Sequence, residues 1–553
     1  MSDTSAAEMN PELNGSGPNQ PPSTARAGGI MMTSLFLSRV LGMLRNTVMT
    51  TVFGVSLLTD SYQLAVTIPD TLFMLVAGGG LSSAFIPVFS ELLHTKRERE
   101  AWKFFSVVVT VCSLAVTALI GVAWVLAPWI AHIMAADKVD ANKVNISAQM
   151  EPHLVYMGRV LLPAQFAFLI GSILLGTLYS RRQFLAPGLA PNIYNVGIIV
   201  GAVVGGLTPL GIAGMPWGGL IGALLGNLLL PVTIIAKQGV RFRPSLDVKS
   251  EGVKRFFVLL APVIFGFSLP SVCQIITNYF AARYPAGINT VLTLGNTLMQ
   301  APSGIFGQSL ALAAFPVLAQ FYANKRMDAY RSEMTKTIRT VLFLALPASA
   351  VMFALAPQII QVLNGYGKSA HSANLAEVPV ALRVYSIGIV AWCVQPVLMR
   401  GFFSAHKTLF PVALSTGMTA LFIGMCEYCI HMKLPYTSLA WSTNIAAILL
   451  VFVLYWALQR EVGKLDSERI FVTFVKALGG SLVMGSFSFA AFQALNLVGV
   501  SHSRIATIVG LLFVITSAIW IYYYLTRAMK MPETNYFERA FARINRAKPA
   551  AKR

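Results

Sequence analysis

Long apolar segments follow one another along almost the whole chain. Each is close to or above the roughly 20 residues that an α-helix needs to cross the hydrocarbon core of a bilayer. Only 12% of the 553 residues are charged, whereas soluble domains carry about 25%. The pattern predicts an all-α polytopic membrane protein with fourteen transmembrane helices. We place the spans at residues 28–54, 61–93, 104–134, 153–180, 187–207, 216–236, 255–283, 288–320, 338–364, 379–405, 409–432, 436–458, 471–496 and 504–526.

Lysines and arginines predict the orientation of these spans. Cytoplasmic loops carry an excess of basic residues. With the N-terminus in the cytoplasm, and with basic residues near the cytoplasmic ends of spans counted with the adjoining loops, 32 of the 42 basic residues are cytoplasmic, and so is the C-terminus. Adding or removing one span would destroy this alternation. Six basic residues fall outside (Lys138, Lys143, Arg283, Lys368, Lys433, Arg504) and four fall within spans (Arg39, Arg45, Arg159, Arg383).

The second part of the chain repeats motifs of the first part in the same order. The pattern Gly-x-x-Leu-x-x-Ala-x-x-Pro-Val occurs at 78–88 and again at 307–317. Further along, Arg159-Val160 matches Arg383-Val384 at nearly the same offset. The first six spans and the next six are therefore predicted to be two copies of one bundle. An even number of spans per copy makes the copies parallel, which suits alternating access around a site between them.

Five segments follow from the spans and the repeat. Residues 1–27 lack the features of a signal peptide and are predicted to be a disordered cytoplasmic tail. The N-lobe (28–236) holds spans one to six, and the C-lobe (255–458) holds spans seven to twelve. Spans thirteen and fourteen (471–526) lie outside the repeat. The basic cytoplasmic C-tail (527–553) fits either an amphipathic helix on the inner leaflet or a solvated tail.

Two arginines, Arg39 and Arg45, lie inside the first span. A charge deep in a bilayer costs roughly 2.5–3.5 kcal/mol by insertion scales, so two in one helix call for an explanation. They lie about 120° apart around the helix and about 9 Å apart along it. Guanidinium groups bind phosphate through paired charge-assisted hydrogen bonds. One interpretation is a cavity for a phosphate-bearing anion; the other is structural pairing with Asp60, Asp70 or helix-end carbonyls.

Other polar or flexible residues lie in the second and eighth spans. Asp60, which opens the second span, and Asp70, deeper in the same helix, could gate the cavity or could bind a proton or a cation. Three consecutive glycines weaken that helix and indicate either a bend that shapes the cavity or close helix packing. The repeat-related eighth span offers neutral polar groups, so the positive charge is predicted to come from the N-lobe. The candidate gating or cavity-lining residues are Asp70, Gly78, Gly79, Gly80, Asn296 and Gln300.

Several function classes find no support in the residues. There is no nucleotide-binding loop of the GxxxxGK type, and no soluble stretch is long enough for a catalytic domain. Cys426-x-x-Cys429 lacks the further ligands that a metal site needs. Basic residues are spread over short loops, which argues against nucleic-acid binding. We expect no enzyme activity, no cofactor and no metal.

The motif SRVLG at 38–42, followed by Arg45 and by Thr59-Asp60, resembles the lipid II flippases of the MurJ/MviN type, in the MOP exporter superfamily. The stretch 79–87 and the motif PSG at 302–304 fit the same family. The resemblance covers nearly all of residues 28–526. It is specific in the first two spans and diffuse in the later ones.

The resemblance implies a function and a site. Such proteins move lipid II, an undecaprenyl-diphosphate-linked disaccharide peptide, from the inner to the outer leaflet of the bacterial cytoplasmic membrane. It implies that Ser38, Arg39, Arg45 and Asp60 bind the substrate, with the arginines at the diphosphate. It also implies that spans thirteen and fourteen form a groove for the polyprenyl tail. Membrane lipids and the cell-wall synthesis machinery are further partners in keeping with it.

Some positions depart from the family pattern. The basic pair often found in the second span is Phe73-Met74 here. Span seven offers Gln274 and Asn278 where some members hold sodium with acidic residues. We therefore expect no sodium site, and coupling to another ion or to the membrane potential stays open. Three other functions also stay open: a flippase for another polyprenyl-diphosphate glycan, a MATE-like exporter, and a membrane scaffold with structural arginines.

Overall fold

The computed structural model describes residues 24–76, 80–95, 97–135, 146–181, 183–238, 242–267, 272–405, 407–497 and 503–535. The regular secondary structure of these residues is helical throughout. The predictions for Gly78 and Gly79, for residues 1–23 and for residues 536–553 lie outside the described part of the chain.

Twenty α-helices follow one another in the described residues. Wide π-helical turns at Leu224–Leu229 and Ser303–Gln308 continue α8 into α9 and α12 into α13. The helices are α1 (Thr24–Phe53), α2 (Leu57–Val76), α3 (Gly80–His94), α4 (Glu98–Ala135), α5 (Ser147–Leu161), α6 (Ala164–Ser180), α7 (Leu185–Leu207), α8 (Gly214–Ala223), α9 (Leu230–Lys237), α10 (Glu251–Phe267), α11 (Val272–Ala281), α12 (Ile288–Pro302), α13 (Ser309–Ala323), α14 (Met327–Ala354), α15 (Ala356–Asn364), α16 (Glu377–Ser404), α17 (Leu409–His431), α18 (Thr437–Val462), α19 (Ser467–Leu497) and α20 (Arg504–Ala528).

The described residues contain 11 helical stretches that are long and apolar enough to cross a membrane. The protein is therefore an all-helical polytopic membrane protein. The three further predicted spans fall on α1, on α2 with α3, and on α10 with α11. The count of fourteen stays a prediction. The 11 stretches are Glu98–Ala135, Ser147–Ser180, Leu185–Leu207, Gly211–Lys237, Ile288–Ala323, Met327–Ala354, Ala373–Ser404, Leu409–His431, Thr437–Val462, Ser467–Leu497 and Arg504–Ala528.

Helices α7 and α8 pack through facing stripes of glycine. In lipid the hydrophobic effect does not drive helices together, so association relies on close packing of small residues. A Cβ atom added at Gly201 would collide with the carbonyl oxygen of Gly214, and one added at Gly218 would collide with that of Gly197. The two backbones are therefore in direct contact. The glycine stripe comprises Gly197, Gly201 and Gly205 on α7 and Gly214, Gly218 and Gly222 on α8.

The apolar core divides into several clusters. The largest joins mainly α11 to α18 and includes the buried rings of Tyr330, Tyr385 and Phe402. Two others lie mainly among α1 to α10. The division of the chain into N-lobe and C-lobe stays a prediction, and these clusters support it.

Helices α19 and α20 pack against α14 and α15. Their shared cluster includes Phe343 and Leu346 from α14, Met484 from α19 and Tyr522 from α20. The Tyr522 hydroxyl donates a hydrogen bond to the carbonyl oxygen of Phe343 at 2.8 Å. The two helices beyond the repeat are thus attached to the helices of the C-lobe.

Candidate substrate cavity

A cavity of about 540 Å³ lies between α1 and α2 on one side and α11 and α12 on the other. It brings together five residues that the sequence singled out: Ser38, Arg39, Arg45, Asp70 and Gln300. Residues that are far apart in the chain thus line one cavity. The rest of the lining is Gly42, Met43, Asn46, Gln63, Val66, Thr67, Ile275, Asn278, Thr293, Thr297 and Ala301.

Arg39 is exposed to this cavity. Its Nη2 donates a long hydrogen bond, 3.4 Å, to Oε1 of Gln308 in the π-helical turn after α12. Gly304 of the same turn lies beside the guanidinium, since a Cβ atom there would come within 3.6 Å of Arg39 Nε. Because Gln308 is neutral, this contact positions the guanidinium without neutralising its charge.

Arg45 is half-buried and is held from its own helix. Its Nε donates to Oδ1 of Asn46 at 3.3 Å, and Asn46 Nδ2 donates in turn to Oγ1 of Thr297 at 3.2 Å. Among the described residues, no carboxylate forms an ion pair with Arg39 or Arg45. No direct ion pair with Asp60 or Asp70 is therefore formed in this conformation, although Arg45 and Asp70 line the same cavity and attract each other electrostatically. Neither guanidinium is neutralised by direct contact with a carboxylate.

Asp70 lies on α2 and is exposed at the same cavity. Among the described lining residues it is the one carboxylate, against two guanidinium groups. The lining therefore carries a net positive formal charge. This charge comes from the two arginines of α1.

Two polar stripes complete the lining, and sequence reasoning did not assign most of their members. In each stripe three polar residues occur at i, i+4 and i+7, a spacing that places them on one face of a helix. This spacing inside apolar spans is the signal that could have found them. The stripes are Gln63, Thr67 and Asp70 on α2, and Thr293, Thr297 and Gln300 on α12.

Neighbouring side chains hold several of these polar groups in place. Asn278 on α11 donates from Nδ2 to Oγ1 of Thr67 at 3.0 Å, which links the two sides of the cavity. Gln300 Nε2 donates to Oδ1 of the buried Asn296 at 2.8 Å. Asn296 thus supports a lining residue and lies behind it. The Ser38 hydroxyl accepts a hydrogen bond from Asn195.

Asp60 lies outside the cavity and is fully buried. Its Oδ2 accepts from the backbone N–H of Gly287 at 2.8 Å, and its Oδ1 accepts from the N–H and the hydroxyl of Thr290 at 2.8 and 2.7 Å. Gly287 is the N-cap of α12 and has no side chain to cap the helix. The Asp60 carboxylate takes that role and also complements the positive end of the helix dipole.

Other contacts lie beside Asp60 and close the same end of the bundle. Asn364 Nδ2 donates to Oγ1 of Thr50 at 2.7 Å. The Val55 N–H donates to Oγ of Ser372 at 3.0 Å. Together with the bonds of Asp60 we call these the closure contacts. They join residues 50–60, from the N-lobe side, to residues 287–290 and 364–372 of the C-lobe.

A second, apolar groove of about 1130 Å³ lies between α14, α16, α18 and α19. Its walls are mainly aliphatic and aromatic, with Leu342, Leu346, Phe471 and Phe474 among them. Of the described residues that line it, Arg383 alone is charged. The groove is therefore suited to a hydrocarbon chain.

The Cys426 and Cys429 side chains are both buried, and Cys429 Sγ lies 3.6 Å from Oγ of Ser442. Within the part of the chain that the structure describes, no group of three or more His, Cys, Asp or Glu side chains could hold a metal ion.

The fold and the cavity define a polytopic membrane transporter. A solved structure of the lipid II flippase MurJ in an inward closed conformation superposes with a TM-score of 0.72 at 21% identity, covering 91% of this chain and 99% of that one. An inward-facing MATE multidrug transporter of the MOP superfamily superposes with a TM-score of 0.62 at 15% identity, covering 77% and 94%.

The family model described as lipid II flippase MurJ matches residues 49–532, and the chain belongs to that family. It is therefore a transporter that acts in peptidoglycan synthesis, and not an enzyme. The lipid II flippase MurJ of Burkholderia cenocepacia is 26% identical over 457 residues, covering 81% of this chain and 86% of the relative. The probable lipid II flippase MurJ of Vibrio cholerae is 28% identical over 481 residues, covering 83% and 88%.

Proposed function

We propose that this protein moves lipid II from the inner to the outer leaflet of the bacterial cytoplasmic membrane by alternating access, with Arg39 and Arg45 binding the diphosphate. One observation carries the proposal. Two guanidinium groups line a single cavity between α1–α2 and α11–α12, and no carboxylate of the described residues pairs with either.

The two arginines reach the cavity at two heights of α1, and their long side chains can converge on two linked phosphates. They lie six residues apart on α1, about 9 Å along the helix axis. A Cβ atom at Gly42, between them, would have no atom within 4 Å, so this stretch of the wall leaves room for a bulky group. Each guanidinium can offer two parallel N–H donors to one phosphate. Ser38 and Gln300 would add neutral hydrogen bonds to the headgroup.

The closure contacts are the bonds that would break when the outer end opens during transport. The charge distribution of the loops predicts that residues 55–60 and 365–378 lie outside, so the closed end would face the periplasm and the cavity would receive lipid II from the cytoplasm. Rocking of the lobes would then break the Asp60 contacts and open the outer end. Fourteen spans with both termini in the cytoplasm are part of this proposal.

The apolar groove would hold the polyprenyl tail. It is formed by three helices of the C-lobe and by α19 from outside the repeat. A polyprenyl tail cannot enter a small polar cavity without placing the polar groups of the lining against hydrocarbon, which is costly. The groove would let the tail stay in an apolar environment while the headgroup crosses.

The proposal is tested by Arg39→Ala in full-length protein reconstituted into lipid vesicles. We expect at least a tenfold loss of lipid II flipping, about 1.4 kcal/mol or more, because one partner of the diphosphate is removed. Arg255→Ala is the matched control, since Arg255 forms an exposed ion pair with Glu91 away from the cavity. Wild-type flipping by folded Arg39→Ala protein would refute the proposed diphosphate site.

The identity of the glycolipid is tested separately by depleting the protein in its native bacterium. Lipid II should accumulate on the inner leaflet of the membrane. Accumulation of a different polyprenyl-diphosphate glycan, with normal lipid II distribution, would overturn the substrate assignment.

A further inference from the structure

Two repeat-related arginines lie in spans but outside the substrate cavity. Arg159 on α5 donates from Nε to the carbonyl oxygen of Trp124 at 3.2 Å, and its Cζ lies 4.0 Å from the centroid of that indole ring. Arg383 on α16 makes the same pair of contacts with Phe353, at 3.4 and 6.0 Å. Trp124 and Phe353 are also equivalent in the repeat, in the register that aligns 78–88 with 307–317. The two copies therefore build the same arginine–aromatic unit.

Each of these units borders a groove. Arg383 lies in the apolar groove, where α19 forms one wall. Arg159 lies in a separate groove of about 920 Å³ between α4, α5 and α8, lined among others by Trp124, Tyr156 and Trp217. We call this the N-lobe groove. Because α19 belongs to the segment outside the repeat, the N-lobe groove lacks the corresponding wall and is open at the surface of the bundle.

The Arg159 guanidinium presents free donors to this groove. Its Nε is used by the Trp124 carbonyl and one face of it is covered by the indole ring. Its two terminal amino groups have no protein partner among the described residues, and they are the pair that binds a phosphate in a bidentate manner. The carboxylate of Glu151, also in the lining, pairs with His132 at 3.2 Å. It lies eight residues from Arg159, about 12 Å along α5.

The rest of the N-lobe groove is amphipathic. Residues Trp124, Tyr156 and Trp217 are 46%, 48% and 42% exposed, and Trp217 Nε1 donates to the Tyr156 hydroxyl at 3.2 Å. Tryptophan and tyrosine are the residues that favour the boundary between hydrocarbon and headgroups. Val160 and Leu220 add apolar wall. An unneutralised cation beside an apolar surface matches a ligand with one anionic phosphate and a hydrocarbon chain.

We propose that the N-lobe groove binds a membrane phospholipid, with its phosphodiester on Arg159 and an acyl chain against the aromatic and aliphatic wall. The lipid would occupy the place that α19 and a polyprenyl tail take in the repeat-related groove. This site is separate from the substrate cavity, and it stands whether or not Arg39 and Arg45 bind a diphosphate.

The test uses full-length protein in vesicles of phosphatidylethanolamine and phosphatidylglycerol that contain a photo-crosslinkable phosphatidylglycerol. Crosslinked peptides are mapped by mass spectrometry. Labelling around Trp124 and Tyr156 should exceed labelling of the exposed α7 positions Val196 and Val200, which report bulk lipid. Arg159→Gln should reduce it roughly tenfold, the loss expected when a charge-assisted phosphate contact is removed.

Arg383→Gln is the matched control, because it removes the repeat-related arginine and should leave N-lobe labelling unchanged. If Arg159→Gln does not fold, Arg159→Lys is used instead. It keeps the positive charge but lacks the paired N–H donors of the guanidinium, so it should still lower labelling several-fold. Wild-type labelling in either folded Arg159 variant would overturn the proposal, as would labelling no higher than on α7. Displacement of the phospholipid by a photo-crosslinkable undecaprenyl phosphate would assign the groove to a polyprenyl lipid and would also overturn it.

Discussion

Arg39 and Arg45 differ in what holds them. Arg39 reaches across to Gln308, on the other side of the cavity, through one long hydrogen bond. Arg45 is fixed from its own helix by Asn46, which is itself anchored to Thr297. Arg45 is therefore the more pre-organised of the two, whereas Arg39 must change partners if α1 moves away from the π-helical turn. The two arginines would then act at different points of the transport cycle.

Arg45→Lys should lose most of the transport rate although the charge is kept. Lysine places a single ammonium where arginine presents a planar fork, so it cannot bind both Asn46 and a phosphate in the same geometry. We expect at least a roughly tenfold slower flipping of lipid II in reconstituted vesicles, about 1.4 kcal/mol. Arg255→Lys, at an exposed ion pair, should flip at the wild-type rate. An unchanged rate in Arg45→Lys would show that charge alone suffices.

Asp60→Asn should weaken the closed end of the bundle. Asparagine is nearly isosteric, but it removes a buried negative charge from the N-terminus of α12, an interaction worth up to about 2 kcal/mol. Labelling of a Thr297→Cys reporter by an impermeant maleimide added outside should increase. Thr290→Val, which removes one of the three bonds to Asp60, should have a smaller effect. Equal labelling in both variants and the parent would exclude Asp60 from closure.

The glycine stripe shows how a helix pair is specified in lipid. The recurrence of glycine at every fourth residue of α7 and α8 is visible in the sequence. The contact between the two helices depends on which of their faces turn toward each other. The structure aligns the stripes so closely that Gly201 faces the backbone of Gly214 and Gly218. Such contact leaves no volume for any side chain at these positions.

Gly201→Leu should therefore prevent correct packing of α7 on α8. Overpacking costs about 1–3 kcal/mol where neighbours can shift, and here the neighbour is backbone, so the loss should be at the upper end or beyond. The thermal unfolding temperature and the monodisperse fraction in detergent measure the effect. Gly424→Leu, at a helical glycine with nothing within 4 Å of an added Cβ, should change neither. Similar behaviour of the two variants would contradict backbone contact.

Apolar length was enough to predict most of the helices, because a helix is what satisfies every backbone group in lipid. The common cavity of Arg39, Arg45 and Asp70 could also be anticipated, since buried charge in a span needs a polar surrounding. The partner of Asp60 could not, because it is the backbone at the start of α12, far away in the chain. The spacing of the polar stripes on α2 and α12 is visible in the sequence. The sequence alone does not predict that the two stripes face each other.

The closure contacts couple the two halves of the molecule at one end. They join residues 50–60 to residues 287–290 and 364–372, so any opening of that end must break several bonds together. The cavity lies away from these contacts, between the same helices. Motion of one lobe against the other would thus exchange access from one end to the other without dismantling the lining.

A disulfide across the closure should stop transport reversibly. Thr50 Oγ1 and Asn364 Nδ2 lie 2.7 Å apart, so Thr50→Cys combined with Asn364→Cys places two thiols within reach. Oxidation should abolish flipping in vesicles, and reduction should restore it. Thr50→Cys alone is the control, because it carries the native cysteines without the second engineered thiol. Full activity of the oxidised, crosslinked protein would mean that this end does not open during transport.

Substitutions on the two sides of the contact between Asp60 and α12 should differ in their effects. Of the three donors described at this helix end, two are backbone amides, which every residue except proline supplies. Side-chain substitutions at the start of α12 therefore keep both backbone donors, although Gly287, whose φ is +94°, disfavours other residues. The third donor, the Thr290 hydroxyl, is lost when Thr290 is replaced by a residue without a hydroxyl. Asp60 has no such freedom, because the carboxylate is the whole of its contribution. A saturation screen should record a stronger loss of function at Asp60 than at Thr290, where most substitutions keep the backbone donor.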